Sequence, residues 1–170
     1  MRTSLLSILC VFFAYPSGAA NSDVEIHIQP KQVDQSGTQT SSSGTVFRSK
    51  EHWTYEVTIE NKTFKELSDL ELKYVIFSKQ EKLGAKEAAK ARRQNGSISL
   101  GSLKAHEKKS VTTNAVKLNK SNLSGDYYYP SGGKERAQDS LGGLWVRVYQ
   151  NGQQLAEYAN PSTLTREKWE

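Results

Sequence analysis

The chain has 170 residues, of which 36% are hydrophobic and 24% charged, with a single cysteine. That length suits one domain with a sizeable core, and one cysteine rules out a disulfide framework. A formal charge of +5 speaks to solubility and non-specific binding, and it is compatible with anionic partners such as acidic polysaccharide or a membrane surface.

The first residues read MRTSLLSILCVFFAYPSGAANSD. Arg2 supplies a short positive region, Leu5 to Tyr15 an apolar run, and Pro16-Ser17-Gly18-Ala19-Ala20 a break into small residues. This is the layout of a cleavable secretory signal with cutting after Ala20, and the apolar run is shorter than a spanning helix needs. Cys10 follows Leu9 inside that run, whereas a lipoprotein signal places a small residue before a cysteine at the cleavage point. Cleavage takes away the only cysteine and one of 23 basic residues, leaving 22 against 18 acidic ones, a net +4. No transmembrane segment is expected after signal removal, and the mature protein is expected to be exported, held by its core without disulfides.

Val24, Ile26 and Ile28 alternate with Glu25, His27 and Gln29, and Pro30 follows, which predicts a first, edge strand. Asp34 to Gly44 is polar and of low complexity, and is expected to form a linker, so that residues 21–44 comprise an edge strand and linker ahead of a domain over 45–160. Trp53, Tyr55, Val57 and Ile59 share one strand face, with Thr54, Glu56, Thr58 and Glu60 on the other. Leu70, Leu72, Tyr74 and Ile76 repeat the pattern, but Val75 and Phe77 interrupt the polar face, so this strand is expected to be covered on both sides. Gln80 to Arg93 is rich in Ala, Lys and Glu with little apolar stripe, which predicts a short solvent-facing helix or a loop inserted near 80–93.

Asn95-Gly96 is expected to turn the chain into Ser97–Leu103. Lys108 to Leu118 reads as a strand whose apolar phase slips between Val111 and Val116, predicting a bulge. Asn119 to Leu141 reads as a long loop. GLWVRVYQ-NG-QQLAEYA is a hairpin, with Asn151 and Gly152 suited to the positive φ of a type I′ turn. Residues 161–170 read as a polar tail carrying Trp169. Short strands without a βαβ rhythm predict an all-β, antiparallel immunoglobulin-like β-sandwich of about seven strands.

The run VTIENKTFKELSDLELKYVIF, followed by LGSLKAHEKKSV, a strand, a turn and a strand, resembles bacterial extracytoplasmic immunoglobulin-like and fibronectin-III-like modules, including the FxLYD and CARDB kinds. The resemblance spans Trp53 to Leu118 and is at the level of the fold. His106 stands where such modules usually carry a turn glycine, and the Phe-x-Leu-Tyr-Asp motif is absent. It implies a periplasmic or extracellular adhesion, scaffolding or ligand-presenting module from a bacterium, and it supplies no catalytic residues.

Chemistry-bearing motifs are sparse. His27, His52 and His106 lie apart without metal-ligand spacing, and the mature chain has no thiol, so no metal or other cofactor is expected. No catalytic residue can be nominated; an unrecognised hydrolase remains only because the members of a triad can come together from anywhere in a sequence. The basic run Lys79, Lys82, Lys86, Lys90, Arg92 and Arg93 lacks interleaved aromatics, which argues against nucleic acid and for a solvated face. Four N-x-S/T sequons begin at Asn61, Asn95, Asn119 and Asn122, and matter only in a eukaryotic source. If Leu144, Val146 and Val148 point inward, then Trp145, Arg147 and Tyr149 form an outer row with a guanidinium between two rings. With Tyr127, Tyr128 and Tyr129, that row is the candidate surface for a partner protein or a polysaccharide. The chain is thus expected to be an exported, non-enzymatic module acting by binding or as a scaffold, with carbohydrate binding as the alternative.

Overall fold

A computed structural model describes residues 23–41, 45–125 and 127–169; the stretch read as a secretory signal lies outside them. Two antiparallel sheets pack face to face as a β-sandwich. The first contains β1 (Val24–Thr40), β2 (Val46–Asn61), β5 (Lys108–Thr112), β6 (Val116–Leu123) and β7 (Arg136–Gln138), and the second β3 (Leu67–Gln80), β4 (Lys90–Leu103), β8 (Ser140–Gln150) and β9 (Gln153–Asn160).

Strand β2 is the spine of the first sheet. It pairs with β1 from Asn61 to Phe47 along one side, and with β5 over Glu56–Glu60 and β6 over Val46–Trp53 along the other. In the second sheet the order is β4-β3-β8-β9, so β3 is paired on both sides as well. The alternation anticipated from sequence fills the space between them. Tyr55, Val57, Ile59, Leu72, Tyr74, Ile76, Leu144, Val146 and Val148 are buried in one cluster, with Trp53 packed against it. Val75 and Phe77 are buried too, on the outer side of their sheet.

Several sequence expectations are corrected. Nine strands occur among the described residues, rather than about seven. The polar stretch from Asp34 is not a linker: β1 continues to Thr40, through register shifts at Gln32/Asp34 and Ser36/Gln39. Residues 31–37 are exposed, and an edge strand held by its backbone ladder needs no apolar alternation to persist. Of the helix or loop expected near 80–93, the loop holds over 81–89 and the helix does not form. Strand β3 runs to Gln80 and β4 starts at Lys90, leaving 81–89 as turns pinned by Gly84 N–H to the Lys134 carbonyl at 2.8 Å and Lys134 to Glu81 at 2.7 Å. A segment without an apolar stripe has nothing to bury as a helix, while its ends can pair in register.

Asn95-Gly96 is not a turn but lies within β4. Gly96 faces Tyr74, whose ring atoms sit 2.3 Å from where a β-carbon would be, so only glycine lets that ring lie over the edge strand. Lys108–Leu118 is two strands, and the phase slip is their break. Thr113 bridges it, donating its N–H to the Tyr55 carbonyl and accepting the Tyr55 N–H at its hydroxyl, both at 2.9 Å. The expected loop from Asn119 yields the end of β6, the short β7 and the start of β8. The hairpin turn is as predicted, with φ of 48° at Asn151 and 80° at Gly152. His106 also adopts a left-handed φ, of 58°.

The resemblance rested partly on an asparagine at a strand end, and the structure shows its work. Asn61 is fully buried; its amide nitrogen donates to the carbonyls of Lys65, Leu103 and Lys104 at 2.7, 3.1 and 2.9 Å. Its oxygen accepts the Thr63 N–H and hydroxyl at 2.9 and 2.7 Å. The sequon Asn61-Lys62-Thr63 is therefore a structural knot joining the ends of β2 and β4. Asn61→Ala leaves three carbonyls without this donor and is expected to cost about 2–3 kcal/mol of unfolding free energy in urea titration. A loss within error of zero would show that water replaces the amide.

Candidate functional site

The outer face of the second sheet carries the aromatic row, and its geometry departs from a free platform. Leu144, Val146 and Val148 do point inward, and Trp145, Arg147 and Tyr149 lie on the opposite face. Trp145, however, is 2% exposed. It belongs to a second apolar cluster with Val75 and Phe77, covered by Ala159, Leu164 and Trp169. The C-terminal residues are not a loose tail: a 3-10 turn over Ser162–Arg166 folds them back across the sheet. Arg93 fastens them, donating to the Glu167 carboxylate at 2.6 Å and the Lys168 carbonyl at 2.9 Å.

Arg147 lies between two rings, as anticipated, but the second ring is Trp169. The guanidinium is 4.8 Å from the Trp145 centroid and 4.2 Å from that of Trp169, and the two indoles meet edge to face at 4.9 Å. Glu157 closes the group by accepting from Trp145 Nε1 at 2.6 Å and Arg147 Nε at 2.9 Å. Burial opposes the charge of Arg147, yet hydrogen bonds to Glu157 and Tyr149 hold its pKa above the ordinary value. Tyr149 is half-buried, with the Lys73 ammonium 5.1 Å from its ring. Tyr127 and Tyr128 are exposed on the β6–β7 connection, and Tyr129 packs over Gly84. No ring contact among the described residues joins these three tyrosines to Trp145 or Arg147. Trp145 is thus sealed from solvent, while Arg147 and Tyr149 remain partly exposed beside it.

Open concavity lies elsewhere. Beyond Trp53, Ile76 and Leu118 the sheets continue, but the residues that replace the apolar ones are polar. Ser78 and Gln80 extend the inward face of Tyr74 and Ile76, and the ladder sets Arg92 opposite Ser78 and Gln94 opposite Ile76. From the first sheet, Glu51 is buried, ion-paired to Lys120 and accepting from Trp53 Nε1 at 3.0 Å. Buried Asp139 accepts three N–H bonds, from Glu81 at 3.0 Å and from the Asn119 main chain and side chain at 2.9 Å each.

Between these layers is a cleft of about 250 Å³, walled by Ser78–Gln80 and Arg92–Gln94 on one side and Val116–Leu118 on the other, with Asp139. Among the described residues Lys79, Arg92 and Lys117 form no ion pair. A wider groove of about 670 Å³ separates the edges of β1 and β9; of its charged groups Glu25 pairs with His27 and Lys62 and Glu157 with Arg147, while Asp23 has no ion pair among the described residues. The sequence hid the cleft because the basic run reads as a helix face until the β3–β4 register is known. Its one visible signal was the continuation of the Leu70–Ile76 phase into Ser78 and Gln80.

The histidines are dispersed. His27 pairs with Glu25 at 3.2 Å, His52 with Asp34 at 2.6 Å, and His106 stacks edge-on against Phe64 at 4.8 Å. No group of three potential metal ligands occurs among the described residues, and none of their helices is long and apolar enough to cross a membrane.

No protein-family model and no curated protein matches this chain. Solved structures with partial likeness include a Northeast Structural Genomics Consortium target at TM-score 0.39 and 10% identity, covering 81% of this chain and 85% of that one. Another is a protein from Akkermansia muciniphila at TM-score 0.27 and 9% identity, covering 85% of this chain and 75% of that one. A third is a β-glucosidase from Listeria innocua in complex with gluconolactone, at TM-score 0.25 and 16% identity, covering 79% of this chain but 16% of the glucosidase. At such TM-scores these likenesses carry no argument about what the chain does.

Two expectations follow from the seal and the buried acid. Trp145→Ala should cost about 3–5 kcal/mol of stability, as removal of a core aromatic does, while Trp169→Ala should make Trp145 accessible to an aqueous fluorescence quencher. A neutral effect of both would return the row to the surface. Hydrogen bonding from Lys120, then Trp53, lowers the Glu51 pKa in the folded state, so its stabilisation is present above the unfolded carboxylate pKa and is lost as pH falls through the folded value. Thermal unfolding of Glu51→Gln should therefore show a shallower loss of midpoint on acidification than the parent chain; parallel curves would exclude that contribution.

Proposed function

We propose that this chain is an exported, non-catalytic β-sandwich module of the immunoglobulin-like and fibronectin-III-like extracytoplasmic kind, working by binding in the bacterial periplasm or outside the cell. The observation that carries the reading is the cleft at the polar end of the sandwich, where Arg92, without an ion-pair partner among the described residues, shares the inward face with Ser78, and Lys79 and Lys117, equally unpaired, lie at the rim. Charge left unneutralised in a concave site is disposed to receive a ligand. The buried asparagine that ties the strand ends supports the resemblance to those modules, because it gives their recurrent strand-end residue a structural task.

Expression of the full chain in a bacterial host, followed by fractionation and N-terminal mass spectrometry, should recover the protein outside the cytoplasm, beginning after Ala20. An intact Met1 in the cytoplasmic fraction would overturn export. Immobilised protein should retain soluble material from exported fractions that the charge-reversed variant Arg92→Glu/Lys117→Glu does not retain. Equal retention by both would reject the cleft as the working surface.

A further inference from the structure

We propose that the cleft recognises a carboxylate-bearing sugar residue, such as a hexuronate within an acidic polysaccharide. This rests on the binding reading above and adds the ligand class. The lining mixes three kinds of group. Arg92, on the inward face opposite Ser78, supplies positive charge without an ion-pair partner among the described residues and brings a planar fork that matches a carboxylate bidentately, while Lys79 and Lys117, one residue out of phase with the inward face, add charge at the rim. Ser78, Gln80 and Gln94 supply hydroxyl and amide groups; the Gln94 nitrogen is occupied by the Ala115 carbonyl at 3.4 Å, leaving its oxygen to accept from a hydroxyl. Val116 and Leu118 supply apolar surface for the C–H face of a ring.

Asp139 decides between anions. Its carboxylate already takes three N–H bonds, from Glu81 and twice from Asn119, and an ionised carboxylate has about four acceptor sites, so one remains for a hydroxyl donor. A sugar ring, with its hydroxyls some distance from its single charge, can present a donor there. A phosphate chain would place negative charge against it. Nucleic acid finds no stacking surface either, since no aromatic residue lines the cleft. The volume, about 250 Å³, lies at the small end of ligand pockets and suits one residue of a chain whose neighbours run out along the basic rim. Lys82 and Lys90 line a separate small hollow that shares Gln80 with the cleft, and Arg93 is withheld by its pairing to Glu167.

The test is calorimetric titration of the full chain with oligogalacturonate, its fully methyl-esterified counterpart and inorganic polyphosphate. Oligogalacturonate should bind and should weaken with added salt, as a charge-assisted contact does. The ester, which keeps every hydroxyl but loses the charge, should show no binding. Arg92→Ala/Lys117→Ala should weaken oligogalacturonate by about tenfold or more, and Arg92→Lys should restore only part of that because it keeps the charge without the fork. Both positions are solvent-exposed, so unfolding midpoints should stay at the parent value and separate lost recognition from lost folding. Equal binding of the ester or of polyphosphate, or binding untouched by the double variant, would overturn the inference. If oligogalacturonate fails while the charge-reversed variant still loses its captured material, the ligand class is wrong and the cleft remains the binding surface.

Discussion

The backbone hydrogen bonding of β2 is the constraint from which the rest follows. A sixteen-residue strand must satisfy donors and acceptors on both sides. It does so with β1 on one flank and, on the other, β6 and β5 in succession, with Thr113 closing the gap between them. Only half of β2 is apolar on its inner face. The Trp53–Ile59 half has a core to pack, and the Val46–His52 half is held by the ladder together with the Glu51–Lys120 and His52–Asp34 pairs. The sheets thus outrun their own core. Where they do, Glu51, Lys120, Ser78 and Arg92 replace the apolar layer, and a cleft opens between two sheets that remain paired.

Closure of the second sheet obeys a different economy. Val75, Phe77 and Trp145 put apolar surface on a face that would otherwise meet water, and the chain returns after β9 to cover it. The cover is short, so it is secured by contacts of high value per residue. Trp169 meets Trp145 edge-on, Arg147 sits against both indoles, and Arg93 grips the backbone and the carboxylate of the returning segment. Glu157 serves the tryptophan and the arginine together, so neither buried donor is left without an acceptor.

Exposed edges are blunted in kind. Among the described residues strand β1 has no neighbour on its outer side, and it carries Pro30 and two register shifts. Strand β4, the edge of the other sheet, opens on Lys90, Arg92 and Arg93 and contains the Gly96 that admits the Tyr74 ring. Proline, bulges and cations all discourage edge-to-edge pairing. At β4, Arg92 and Arg93 also border the cleft, so protection of the edge and the charge of the cleft wall come from the same side chains.

The sequence by itself determined the all-β class, the inward faces of Trp53–Ile59 and Leu70–Ile76, the double covering of Val75 and Phe77, and the Asn151-Gly152 turn. Each depends on local periodicity or on the φ a residue tolerates, and both are written in neighbouring residues. Tertiary structure alone decided the remainder. Asp34–Thr40 is a strand because β2 pairs with it, not because of its own composition. Gln80 and Lys90 are partners, not one helix, because register outweighs propensity in a segment with nothing apolar to bury. Trp145 is sealed because residues distant in the chain fold back over it. The cleft exists because two strands from different sheets run past the end of a shared core, and no single stretch of sequence records where another stretch stops.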